Sequence, residues 1–105
     1  MQNIIKSTLK SAGLNFQILE ENEKGSLIKL GIGLKNGNCD AFINVDLEWR
    51  ACIIAVFCPI KVEENKRRRV AELLNGLNYN LRIGNFELDS ESGDIRFRTS
   101  QLFHE

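Results

Sequence analysis

Ser26-Leu27-Ile28-Lys29-Leu30-Gly31-Ile32-Gly33-Leu34-Lys35 alternates apolar residues with polar or small ones. Ile28, Leu30, Ile32 and Leu34 share one face of an extended chain; Lys29, Gly31, Gly33 and Lys35 share the other. Asn36-Gly37 follows, a pair that favours a type I′ turn because both central residues take positive φ. The period then resumes through Ala41, Ile43, Val45 and Leu47, opposed by Asp40, Asn44 and Asp46. This is a β-hairpin, apolar on one side and polar or small on the other.

The neighbouring segments build on that hairpin. Upstream, Ile4, Ile5, Leu9 and Ala12 fall on one face of a short helix over residues 3–12, with Gly13 as its stop. Leu14, Phe16 and Ile18 alternate with Asn15 and Gln17, which starts a strand, and Glu20 to Gly25 reads as a polar turn. Downstream, Ala51-Cys52-Ile53-Ile54-Ala55-Val56-Phe57 is apolar without alternation. Its β-branched residues, its length and the stop at Pro59 favour a central strand covered on both faces. Such cover requires a helix on one side and a further layer or subunit on the other. From 63 to 78 the period becomes helical, with Val70, Leu73, Leu74 and Leu77 at i, i+3, i+4 and i+7. Phe86 and Leu88, then Ile95 and Phe97, form a second hairpin around Asp89 to Asp94, with Glu87 and Asp89 placed to pair with Arg96 or Arg98. The order α-β-β-β-β-α-β-β predicts an α+β fold: a largely antiparallel sheet flanked by helices.

The 105 residues, of mass 12.0 kDa, suffice for one domain, taken as 1–105. Hydrophobic residues make up 43% and charged residues 27%, ordinary globular usage that argues against wholesale disorder. Lys plus Arg and Asp plus Glu number 14 each, which disfavours a generally basic nucleic-acid binder. No apolar run approaches the roughly 18 residues of a membrane span, so no membrane insertion is expected. The first residues lack the basic and apolar regions of an export signal, so a cytoplasmic location is expected. The three cysteines, Cys39, Cys52 and Cys58, are then read as reduced thiols.

Leu73 to Leu81, Gly84-Asn85-Phe86-Glu87-Leu88-Asp89 and Gly93-Asp94-Ile95-Arg96-Phe97-Arg98 resemble the YbjN family. Its members carry the description of bacterial sensory transduction regulators. The apolar strand ending in Cys58-Pro59 fits the same pattern, and the strong part of the resemblance covers residues 50–100. The resemblance implies a fold like that of type III secretion chaperones, frequent dimerisation, and protein binding or regulation rather than catalysis. Relatives commonly continue into a further helix past the last strand. The face such a helix covers is therefore expected to be open or to meet a second copy.

Chemical sites are scarce. Cys39, Cys52, Cys58 and His104 lack the close ligand pairs of structural zinc. Cys52 and Cys58 lie on one side of a strand, about 20 Å apart. Asp89, Glu91 and Asp94 match only a fragment of a calcium loop, so a hairpin turn is the simpler reading. His104 is the sole histidine, and no nucleophile–base pair can be assembled. No enzyme activity, metal or cofactor is expected. Lys66-Arg67-Arg68-Arg69 offers an anion or RNA contact, against a plainer reading as a solvated helix face with Glu63–Arg67 and Glu64–Arg68 pairs. Asn75, Asn78 and Asn80 either cap the second helix or bridge it to the next strand. Trp49, Phe57 and Phe103 are interface candidates, with a place at the rim of the core as the alternative for Trp49. The leading expectation is a protein-binding adaptor or chaperone-like homodimer. The alternative is an RNA- or nucleotide-binding regulator using Lys66 to Arg69.

Overall fold

The computed structural model describes residues 2–35 and 37–104. Helix α1 (Gln2–Ser11) leads into β1 (Phe16–Asn22), β2 (Gly25–Leu34), β3 (Gly37–Asp46) and β4 (Ala51–Phe57). A 3₁₀ turn (Glu64–Lys66) then opens α2 (Arg67–Tyr79), followed by β5 (Asn85–Leu88) and β6 (Ile95–Leu102). The element order is the one expected. The expected type I′ turn rests on Asn36, which lies outside the described residues.

The strands form a six-stranded sheet in the order β1-β2-β3-β4-β6-β5, and every neighbouring pair is antiparallel. Register carries the side-chain period across it. Leu30 faces Ala41, Ala41 faces Val56, Val56 faces Phe97, and Phe97 faces Phe86. The row Ile28, Ile43, Ile54, Thr99 runs beside it. These rows share one face, here the inner face, because alternate residues of a strand point the same way.

Helix α1 covers one end of the inner face. Its Leu9 joins Ile28, Leu30, Ala41, Ile43 and Val45 in the core, with Ile5 packed against them. Ile28 is 0% and Val45 1% exposed. Burying side chains of that size stabilises by about 1.5–3 kcal/mol each. Two polar contacts fix the helix: Gln2 Nε2 donates to Ser26 Oγ at 2.6 Å, and Lys6 pairs with Glu21. Gly13, at φ 73°, lets the chain turn away from the helix, and Leu14 N closes the end by donating to Leu9 O at 3.0 Å.

Three expectations change. Phe103 belongs to this same core cluster, because Phe103 N donates to Arg50 O at 2.8 Å and keeps the chain on the line of β6. Its side chain packs in the core of the chain. β4 occupies an inner place in the sheet, as its sequence requires, but its cover is incomplete: only Ala55 is buried, and Ile54 remains 39% exposed. Asp89 does not pair across the second hairpin. Its carboxylate accepts the N–H groups of Glu91 (2.9 Å) and Ser92 (3.2 Å) and holds the turn instead. Glu87 alone makes the cross-strand pairs, with Arg96 Nε at 2.7 Å and Arg98 Nε at 3.2 Å.

Candidate functional site

The basic segment at the start of α2 is largely committed within the fold. Arg67 turns inward: Nε donates to Val62 O at 3.1 Å, and Nη1 donates to Ser90 O at 3.1 Å and Glu91 O at 2.8 Å. The guanidinium fork thus ties the helix start to the β5–β6 turn through backbone carbonyls. The turn comes close enough because Gly93, at φ 81°, presses against Val62 O, where a Cβ would collide. Arg68 sits 3.8 Å from Glu72, and Lys66 3.7 Å from Glu63. The expected Glu63–Arg67 and Glu64–Arg68 pairs are replaced by these, because residues 64–66 form a 3₁₀ turn that shifts the helical phase. Lys66, Arg68 and Arg69 stay exposed, and their acidic neighbours Glu63, Glu64 and Glu72 share the same stretch.

The other end of α2 grips the sheet edge. Asn78 Nδ2 donates to Phe86 O at 2.8 Å, and Phe86 N donates to Asn78 Oδ1 at 2.7 Å. One carboxamide satisfies both outward groups of an edge-strand residue, which is the bridging reading of this asparagine. Phe86 and Phe97 stack edge to face at 5.1 Å on the same strands. Yet α2 buries little of its own stripe. Leu74 is buried, but Leu73 is 63% and Leu77 49% exposed.

The half-covered strands lie between the two helices. On the inner face Ile54 is exposed, and Cys52, Val56 and Phe97 are half-buried. At one end this strip deepens into a cleft of about 360 Å³ lined by Cys39, Val56, Cys58, Ile95, Phe86 and Phe97. Among the described residues the lining is almost wholly apolar. On the opposite face Phe57 stacks edge to face on Phe42 at 5.6 Å, with Lys29 Nζ 6.0 Å from the Phe42 ring. Trp49 is 76% exposed beside Ile53 and Leu102, so it is not at the rim of the core.

The overall dimensions carry the same message. The chain exposes 8058 Å², whereas a compact monomer of this mass exposes about 6000 Å². Its radius of gyration is 15.3 Å, against about 13 Å for a compact domain of this length. Sequence reading found the apolar residues responsible and asked for a helix on one side and a further layer or subunit on the other. Only the sheet order reveals that α2 sits at the edge and leaves β4 and β6 short of a lid.

Few groups are electrostatically perturbed. Lys6 beside Glu21 holds that carboxyl below the ordinary carboxylate range. The turn N–H groups do the same for Asp89. Burial pushes the Cys52 thiol up, which lowers its reactivity. Among the described residues, no group of three or more His, Cys, Asp or Glu is placed to hold a metal ion, and no helix is long and apolar enough to cross a membrane.

A family model described as "YbjN: Putative bacterial sensory transduction regulator" matches residues 2–105. No curated protein matches the chain.

Proposed function

The chain belongs to the YbjN family, and from that premise we propose that it is a non-catalytic, protein-binding regulator that works as a cytoplasmic homodimer. The observation that carries the reading is the excess of exposed surface, roughly 2000 Å² above a compact monomer of this size. A stable interface removes about 800 Å² from each partner. The excess is large enough for one such interface. Ile54 on the sheet and Leu73 and Leu77 on α2 supply exposed aliphatic surface on the less covered half of the molecule. In a two-fold dimer each copy presents both surfaces, so the α2 stripe of one copy can meet the open strip of the other, and the reverse.

Trp49 lies apart from this strip, whereas Phe57 reaches the end of its cleft. Phe57 is engaged by Phe42, which leaves Trp49, with Ile53 and Leu102, as the apolar position free for a segment of the regulated protein. Aromatic side chains standing clear of the core are favoured anchors in such contacts. The chaperone-like role follows the same mechanism: a non-covalent apolar surface holds a protein segment without changing it.

Sedimentation equilibrium of the purified chain tests the homodimer directly. A two-fold mass is expected, with Leu73→Glu and Leu77→Glu returning the monomer. A wild-type chain that stays monomeric up to high micromolar concentration overturns the reading. Trp49 is the only tryptophan, so its emission places the interface. It should remain red-shifted and quenchable in the dimer, and a blue shift on dimerisation would move the interface to the opposite face.

A further inference from the structure

We infer that Cys39 and Cys58 form a thiol–disulfide site, a cross-strand pair that closes on reaction with a small disulfide. The inference does not depend on the dimer. All three thiols are free here: Cys39 is buried, Cys52 half-buried and Cys58 exposed.

The sheet register brings the pair together. β3 and β4 pair as Ala41 with Val56 and Asp40 with Phe57, so the next opposed pair is Cys39 and Cys58. The strand path continues that far, because Cys58 N donates to Ile95 O at 2.8 Å and keeps Cys58 beside β6. That hydrogen bond also fixes the type of pair. A residue that points its N–H toward β6 points no backbone group toward β3, so Cys39 and Cys58 are a non-hydrogen-bonded pair. Opposed residues of that type have Cα atoms about 4.5 Å apart and side chains on the same face. A disulfide spans Cα separations of about 4.4–6.8 Å. Both residues also line one cleft, the apolar hollow of about 360 Å³ on the inner face. Cys52, the third thiol, stands opposite Val45 and is outside that cleft.

The exchange balances with a small disulfide as oxidant. The exposed Cys58 thiolate attacks one sulfur of the reagent and displaces a thiolate, leaving a mixed disulfide on Cys58. The Cys39 thiolate then attacks Cys58 Sγ and displaces the second. Two electrons pass from the protein to the reagent, the two protein protons end on the two released thiols, and one S–S bond replaces another. Opposed Cβ atoms in strands lie about 4.5–5.5 Å apart, whereas a disulfide holds them about 3.5–4.5 Å apart. The close end of the strand range, where non-hydrogen-bonded pairs sit, meets the upper end of the disulfide range, so the bond can close with little movement of the strands.

The test uses the full chain, reduced and then exposed to oxidised glutathione, with intact mass and non-reducing peptide mapping as readouts. Wild type is expected to lose two hydrogens, keep one free thiol and yield a Cys39–Cys58 linked peptide. Excess reduced glutathione should reverse the change. Cys52→Ser should still close the same link and keep no free thiol, whereas Cys39→Ala should stop at glutathione bound to Cys58. If Cys39→Ala does not fold, wild type and Cys52→Ser decide between them. Wild type that stops at a mixed disulfide, links two copies through Cys58, or pairs Cys52 overturns the inference.

Discussion

Strands β2 and β3 and strands β4 and β6 meet in one sheet, and their inner faces are comparably apolar, yet they are packed differently. Over β2 and β3, α1 brings Leu9 down onto Ile28, Leu30 and Val45, and these side chains are buried. Over β4 and β6 the helix available is α2, and the chain spends it on the sheet edge, where Asn78 holds Phe86. Ile54 and Val56 are left partly open although their sequence is as apolar as that of β3. The difference teaches that apolar sequence states a demand for cover, whereas topology decides whether the same chain meets it. Where it does not, the unmet demand stays behind as exposed apolar surface at known positions.

Four measurements break or sharpen that contrast. The largest effect belongs to the covered half. Ile28→Ala should cost about 2–5 kcal/mol in urea unfolding, since a fully buried side chain leaves a cavity. Ile54→Ala should cost well under half as much in the monomer, and equal losses would erase the distinction. Next comes the edge clamp. Asn78→Ala strips both partners from Phe86 and should cost about 1–3 kcal/mol. Amide exchange at Phe86 should accelerate with it, and unchanged protection there would mean that α2 does not guard β5. Smaller still, Leu73→Glu should change monomer stability by no more than about 0.5 kcal/mol, as for other exposed sites, while abolishing self-association. A large loss of stability would show that the stripe is already buried within the chain. The smallest effect concerns pH. Asp89 and Glu21 have carboxyl groups held below their ordinary range in the folded chain. The stability they contribute is therefore present above the unfolded pKa and lost as pH falls through the folded one. Asp89→Asn should flatten the acid limb of the unfolding profile measured by circular dichroism, and added salt should weaken the Glu21 share first, because it rests on Lys6.

Much of this architecture was legible in the sequence because it is local. Period two located β2 and β3, period 3.6 located α2, and alternation placed Glu87 opposite an arginine. For Asn75, Asn78 and Asn80 the sequence leaves capping and bridging open, and the position of β5 decides for a bridge at Asn78. What stayed hidden depended on distant register. Nothing in the spacing of Arg67 indicates that its partners are the carbonyls of Ser90 and Glu91, more than twenty residues away. Phe103 reads as an interface candidate until β6 carries it back over the core. Along one strand, spacing correctly puts Cys52 and Cys58 on the same face, but it cannot say that Cys39 stands across from Cys58. The same holds for the uncovered strip, because sequence gives the apolar residues and not the position of the helix that would cover them.

The grip of Asn78 on Phe86 also limits how the sheet can grow. An exposed strand edge is a reactive end, and a molecule with two such ends can polymerise. Here α2 and its carboxamide occupy the β5 end, while β1 carries the other end, irregular between Ile18 and Glu20 and rich in glutamate. In the language of polymer chemistry the chain is monofunctional. Any edge-to-edge addition through β1 would stop at two copies, because α2 holds Phe86 at the opposite edge of each. Removing that single amide would make the monomer bifunctional and open a route from a finite complex to a fibre.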